Sequence, residues 1–112
     1  MTLDDLARLR VLPIIVIDDA RWAAPLARAL IAGGIPGAEV TLRTPAAPAA
    51  IAGMAALEGF LVAAGTVLSA ADVDRAVGAG ASAVVSPGFD ARVVERHRAS
   101  HPPSTGMIAP LT

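Results

Sequence analysis

The sequence predicts an α/β fold, a parallel sheet with helices outside it, and three observations predict it. Val11-Leu12-Pro13-Ile14-Ile15-Val16-Ile17 is a continuous apolar, β-branched run, as expected of a strand buried on both faces. Strand-like segments start near residues 12, 38, 60 and 82, a pitch of 22 to 26 residues. Helical segments fill the intervals. Strand–helix–strand units at that pitch imply right-handed crossovers with the helices outside the sheet.

Taken in order, Leu3, Leu6 and Leu9 recur at helical spacing among Asp4, Asp5, Arg8 and Arg10, a short amphipathic helix. The first strand follows. Asp18 or Asp19 can cap the next helix, which runs to about Ala32 and stops at Gly33-Gly34. Pro25 costs that helix a hydrogen bond and predicts a kink or a late start. The second strand spans about Ala38 to Arg43. Thr44 is the expected N-cap of the following helix, with Pro45 at its first position. Phe60 to Ala64 form the third strand, and Gly65-Thr66 its exit. Ser69 caps a helix, with Asp72 three residues on, and Gly80 ends it. Ala83 to Ser86 are a fourth strand, and Asp90 caps a helix over about Ala91 to Arg98. Met107-Ile108-Ala109 are a weak fifth strand. After Ser100 the composition shifts to Ser, His, Pro and Thr, and order is expected to fall away.

Composition narrows the function. A chain of 112 residues suffices for one domain with a core. There is no cysteine, so neither a disulfide nor a thiolate metal site can form. A net charge of −1 and a pI near 6.0 argue against nucleic acid or anionic membrane as partner. Trp22, Phe60 and Phe89 are the only aromatic residues, too few for base stacking or sugar platforms. The longest uncharged runs, 44–57 and 76–89, are 14 residues each, short of the roughly 20 that span a bilayer. The acidic start, Met1-Thr2-Leu3-Asp4-Asp5, lacks the basic opening of a signal peptide, so a cytoplasmic, soluble protein is expected. The hydrophobic fraction is 54% with a mean hydropathy of +0.61, high for so small a domain. All nine basic residues are arginine; there is no lysine.

The segment Glu39-Val40-Thr41-Leu42-Arg43-Thr44 carries the functional question. Alternation along a strand puts Glu39, Thr41 and Arg43 on one face, and Val40 and Leu42 on the other. Four residues span about 13 Å, so Glu39 and Arg43 are too far apart to form a private ion pair and suit two tasks in one pocket. Arg43, Thr66 and Ser86-Pro87 all fall at the C-terminal ends of strands, where barrel enzymes place their active sites. Strand one is followed by Asp18-Asp19-Ala20-Arg21 and not by a Gly-x-Gly-x-x-Gly loop. A P-loop is ruled out because it requires a lysine. His97 and His101 have metal-ligand spacing but no third ligand. Trp22 is expected to pack a helix, Asp72 and Asp74 to be solvated, and Ser86-Pro87-Gly88 to form a turn. From the residues alone, the sheet is either a small open one or part of a (β/α)8 barrel.

The chain resembles the 2-dehydro-3-deoxyphosphogluconate / 4-hydroxy-2-oxoglutarate aldolase family. The matching segments are Leu12 to Ile17, Ala29 to Ile35, Glu39 to Thr44, Ala64-Gly65-Thr66-Val67-Leu68 and Val85-Ser86-Pro87-Gly88, in matching order and spacing, over residues 1 to about 98. The resemblance implies a (β/α)8 TIM barrel, here its first four to five βα units. It also implies a class I aldolase, commonly trimeric, that cleaves a 2-keto-4-hydroxy acid to pyruvate and an aldehyde through a lysine Schiff base. Glu39 resembles the family's general acid/base, Arg43 and Thr66 its binders of the pyruvate carboxylate, and Pro87 a pocket-lining residue. No cofactor and no metal are implied; the partners are a small keto-acid substrate and further copies of the chain, not nucleic acid or membrane.

The departures matter as much as the matches. The family's Schiff-base lysine lies on a sixth strand, and this chain has no lysine. The phosphate-binding turns after strands seven and eight have no counterpart. Residues 1–98 are thus expected to be the N-terminal half of such a barrel from a truncated or frame-shifted reading frame, and 99–112 a divergent, disordered tail. The isolated chain is expected to be inactive. Two rival readings are a non-catalytic, oligomerising barrel fragment and another keto-acid or phosphosugar barrel enzyme.

Overall fold

The structure is a computed structural model that describes residues 3–100 and 106–108. Helix α1 (Leu3–Ala7) leads into strand β1 (Ile14–Ile15). Then follow α2 (Ala23–Ala32), β2 (Gly37–Thr41), α3 (Ala47–Ala55), β3 (Leu61–Gly65), α4 (Ala70–Gly78), β4 (Ala83–Val85), α5 (Ala91–Ser100) and β5 (Gly106–Ile108). The five strands are all parallel and lie in the order β1-β2-β3-β4-β5. A doubly wound sheet reverses its strand order at a switch point. This one never does, so α2 to α5 collect on one face, which is the winding of a barrel wall. The expected alternatives, open sheet or barrel segment, resolve to the second.

The core lies between that wall and the helices. Ile15 and Ile17, Ala38 and Val40, Val62 and Ala64, and Val84 point outward into one cluster with Ala27, Ile51, Met54, Val73 and Val93. The other face is the barrel's inner side. Register aligns Ile14, Glu39, Ala63 and Ala83 across it. There Leu6, with Leu9 and Leu12 beside it, packs on Ala63 and Ala83, so α1 and its connection close the N-terminal end of the inner face. A Cβ on Gly37 would stand 2.5 Å from the Leu9 Cδ1, so this plug sits directly on β2.

Local chemistry sets the element ends. Asp19 accepts from the Arg21 amide at 3.0 Å and caps a 3-10 turn over Ala20–Trp22. The α-helix proper starts at Ala23, which leaves Pro25 in its first turn, the late start the proline predicts. Gly34, at φ 85°, ends that helix. Ser69 caps α4 by accepting from the Asp72 amide at 3.1 Å, and Asp90 caps α5 through the Arg92 amide at 2.9 Å.

Four expectations need correction. The first strand is not buried on both faces: Ile14 and Val16 are 70% and 54% exposed, because β1 is the sheet edge and no wall faces its inner side among the described residues. Thr44 does not cap α3, whose N-cap is Ala46 and whose proline is Pro48. The Thr44 hydroxyl instead donates to the Ile17 carbonyl at 2.6 Å and ties the exits of β1 and β2 together. Trp22, expected to pack a helix, is instead 65% exposed. Asp72 is only half-exposed, accepting from the Leu68 amide and pairing with Arg75, whereas Asp74 is exposed as expected and joins α4 to α5 through two bonds from Arg96 of 2.8 and 3.0 Å.

Of the segment expected as a tail, 99–112, the structure describes Ala99, Ser100 and Gly106–Ile108, and the last three pair with β4. His101 lies outside the described residues, and His97 is buried on α5.

Candidate functional site

The site is built at the C-terminal end of β2, β3 and β4. Every residue of β2 is buried, with Ala38 and Val40 in the core beneath the helices and Gly37 against Leu9. Glu39 sits in the middle of that strand, 7% exposed. Its register partners are Ile14 on one side and Ala63 on the other. The side chain does not stay at that level. It leans along the strand toward the C-terminal end, so that Cγ, Cδ and Oε2 all lie against Gly65, the partner of Thr41 two residues on.

Buried carboxylates are ordinarily satisfied by several donors. Among the described residues, no hydrogen-bond donor and no ion-pair partner reaches the Glu39 carboxyl. Burial pushes its pKa above the usual glutamate value, and the positive charge of Arg43 draws it back only in part. The result is a carboxyl that holds its proton more tightly than a surface glutamate and keeps its lone pairs uncommitted.

Arg43 is not on the strand. β2 ends at Thr41, Leu42 and Arg43 form the turn that follows, and the Leu42 amide extends the ladder by one bond to Gly65 O at 2.9 Å. The strict alternation expected for Glu39, Thr41 and Arg43 thus holds only for the first two. Arg43 is exposed, and among the described residues its guanidinium makes no ion pair or side-chain hydrogen bond. A fork of that kind suits a bidentate carboxylate ligand. Thr41, buried at 3%, donates to the Ile15 carbonyl at 3.4 Å and holds β1 against β2 beside the site.

Thr66 follows Gly65 directly. It is half-buried and has φ 56°, a left-handed conformation that a β-branched residue rarely adopts. The next amide, Val67 N–H, donates to Val85 O at 3.1 Å and anchors this exit to β4. At the end of β4 the buried Ser86 hydroxyl donates to Gly88 O at 2.7 Å, which fixes the expected turn, and Pro87 is exposed on it.

The structure thus gathers Glu39, Arg43, Thr66 and Pro87 at one end of three adjacent strands, with Glu39 and Thr66 meeting at Gly65. Gly65 itself was read only as an exit residue. The available signal was a glycine at an inner-face strand position one register level above the glutamate. Among the described residues no group of three or more His, Asp or Glu side chains could hold a metal ion, and no helix is long and apolar enough to cross a membrane.

A singly wound parallel wall with a buried carboxyl toward its C-terminal end is a segment of a (β/α) barrel. Comparison with known proteins makes the assignment specific. The family model for KDPG and KHG aldolase matches residues 3–110, past the limit of about 98 read from the motifs. The 2-dehydro-3-deoxy-phosphogluconate aldolase of Zymomonas mobilis is 49% identical over 90 residues, which are 80% of this chain and 43% of that protein. The crystal structure of the 2-keto-3-deoxy-6-phosphogluconate aldolase of Z. mobilis ZM4 with 3-phosphoglycerate superposes with a TM-score of 0.84 at 42% identity, over 95% of this chain and 50% of that one. A KDPG aldolase from Legionella pneumophila, with pyruvate captured as a covalent carbinolamine, superposes with a TM-score of 0.78 at 37% identity, over 88% and 47%. The chain belongs to the KDPG and KHG aldolase family. It spans about half the length of the relatives it matches.

Proposed function

We propose that this chain supplies the proton-transfer and carboxylate-binding side of a pyruvate-releasing aldolase, working on a 2-keto-4-hydroxy acid in the cytoplasm and in an assembly of several copies. The observation that carries the reading is Glu39, a residue nine-tenths buried whose carboxyl is met by no protein donor among the described residues. A structural carboxylate would be held by backbone or side-chain donors. This one is kept for a ligand.

In the proposed reaction, Glu39 as carboxylate takes the proton of the substrate's 4-hydroxyl. The C3–C4 bond breaks, its electron pair moves toward an iminium carbon, and the aldehyde leaves. The protonated Glu39 then stands ready to return a proton as pyruvate is formed. A carboxyl with a raised pKa suits both halves of that exchange. Arg43 grips the carboxylate of the pyruvate moiety, the Thr66 backbone and hydroxyl border it, and Pro87 limits the mouth. The iminium needs a primary amine, which no side chain of these 112 residues provides; it comes from outside them.

The test is complementation. The chain is co-expressed with the portion of the Z. mobilis relative that lies beyond its matched residues, and pyruvate release from 2-keto-3-deoxy-6-phosphogluconate is followed. Activity that falls at least 100-fold on Glu39→Gln, a loss typical of an acid/base, is expected. Undiminished activity in that variant would overturn the role. Treated alone with pyruvate and borohydride, the chain is expected to form no side-chain adduct.

A second reading, a non-catalytic oligomerising module, is favoured by Ile14 exposed on the edge strand and Val16 exposed just beyond it. Sedimentation separates it from the first: a monomer at micromolar concentration would exclude it.

A further inference from the structure

We propose that Gly65 is a positioning residue, kept free of a Cβ so that the Glu39 carboxyl can lie at the C-terminal mouth of the sheet and not at its own register level. The proposal deepens the acid/base reading of Glu39 and rests on it for its functional meaning. It stands on the placement of two residues that are 26 positions apart in the chain and meet across the β2–β3 pairing.

A Cβ built on Gly65 would stand 2.6 Å from Glu39 Cδ, 2.8 Å from Cγ and 2.8 Å from Oε2. Real Cβ contacts do not come this close. All three nearest atoms belong to the one side chain. The backbone does not demand the glycine. Gly65 is not among the glycines with positive φ, which are Gly34, Gly59 and Gly80. The residue in the left-handed region is its neighbour Thr66, at φ 56°. Had backbone geometry chosen the residues, glycine would stand at 66 and a side chain at 65. The actual order is the reverse, and what it satisfies is the site: room over 65 for the carboxyl, and a threonine held beside it.

The clashing atoms are also the far end of a flexible side chain. An alanine at 65 can therefore be accommodated by rotating Glu39 away while the sheet stays paired. The fold tolerates such a change, and the carboxyl loses its seat. Its neighbours within this wall are Ile14, Thr41, Ala63 and the charge of Arg43, and the Thr41 hydroxyl is already committed to the Ile15 carbonyl.

The experiment uses the 112-residue chain with 13C-labelled glutamate side chains and compares it with Gly65→Ala. Glu39 is assigned by its absence in Glu39→Gln. In the native chain the Glu39 carboxyl is expected to titrate above the ordinary glutamate value. In Gly65→Ala its midpoint is expected to move down toward that value, with the denaturation midpoint little changed. An unshifted Glu39 titration in folded Gly65→Ala overturns the proposal. If Gly65→Ala fails to fold, the double variant Glu39→Ala/Gly65→Ala decides: recovery of the fold supports a clash with Glu39 alone, and no recovery refutes it. The titration reads position and not turnover. A shifted titration together with full activity in the complemented Glu39→Gln enzyme would leave the positioning intact and remove the catalytic reading.

Discussion

Replacing Thr66 by glycine should leave the fold as stable as before or slightly more stable, although it removes a half-buried side chain. A non-glycine residue in the left-handed region costs about 1–2 kcal/mol, and Thr66 sits there at φ 56°. Glycine releases that strain. Against it stand about 0.5–1 kcal/mol of extra chain entropy in the unfolded state and roughly 0.4 kcal/mol for a methyl group that is only partly buried. The hydroxyl adds nothing to the loss, because it makes no hydrogen bond among the described residues. The sum lies between about −0.4 and +1 kcal/mol of stabilisation. Thr41→Gly is the control: Thr41 has an ordinary strand conformation, is buried and bonds to Ile15 O, so it should lose at least about 1 kcal/mol from chain entropy and a hydrogen bond together. Urea titrations of both variants, with the m value checked for constancy, give the two numbers. A Thr66→Gly loss greater than about 1 kcal/mol at unchanged m would show that the conformation is not strained. In the complemented enzyme the same variant should bind substrate more weakly, so that stability and function change in opposite directions.

Three further outcomes follow from the packing and the charges. Glu39 has a pKa raised by burial, so the folded state holds its proton more tightly than the unfolded one, and its contribution is fully present below the unfolded value and lost as pH rises through the folded value. Glu39→Gln should therefore gain on the native chain as pH rises from 4 to 7, read as melting temperature against pH; parallel curves would contradict the shift. Ile51→Ala removes a fully buried side chain of α3 from the core and should cost about 2–4 kcal/mol by denaturation. Thr44→Val should cost about 1 kcal/mol, since the hydroxyl's 2.6 Å bond to Ile17 O is lost.

Much of this architecture is legible in the residues because parallel strands buried on the helix side must be apolar and β-branched, and the chain spaces such runs at a helix's length. The helix caps were readable where only one short polar side chain stood at the right place, as with Ser69 and Asp90. Thr44 misled because a hydroxyl before a proline can serve a helix or a neighbouring strand, and only the Ile17 carbonyl across the sheet decides. The Val11 to Ile17 run misled for a related reason: apolar residues look the same whether a second wall faces them or not. For the site, Glu39 was marked by being charged inside an apolar strand. Its lean toward the mouth was not marked, because a strand's pleat fixes which face a side chain takes but not how far it reaches along that face. Gly65 escaped for the same cause, its reason for being glycine lying on another strand.

The one-sided burial of β1 has a consequence for how freely this chain can vary. Ile15 and Ile17 belong to the core, whereas Ile14 and Val16 do not. In β2 both faces are committed, Ala38 and Val40 to the core and Glu39 and Thr41 to the site side. In a saturation library selected only for folding, accepted replacements should alternate with period two from Ile14 to Ile17 and be scarce at every position from Ala38 to Val40 except Glu39. Selected for aldol cleavage in a completed barrel, that one gap should close. The contrast between the two libraries at position 39 would separate what the chain owes to its shape from what it owes to its chemistry.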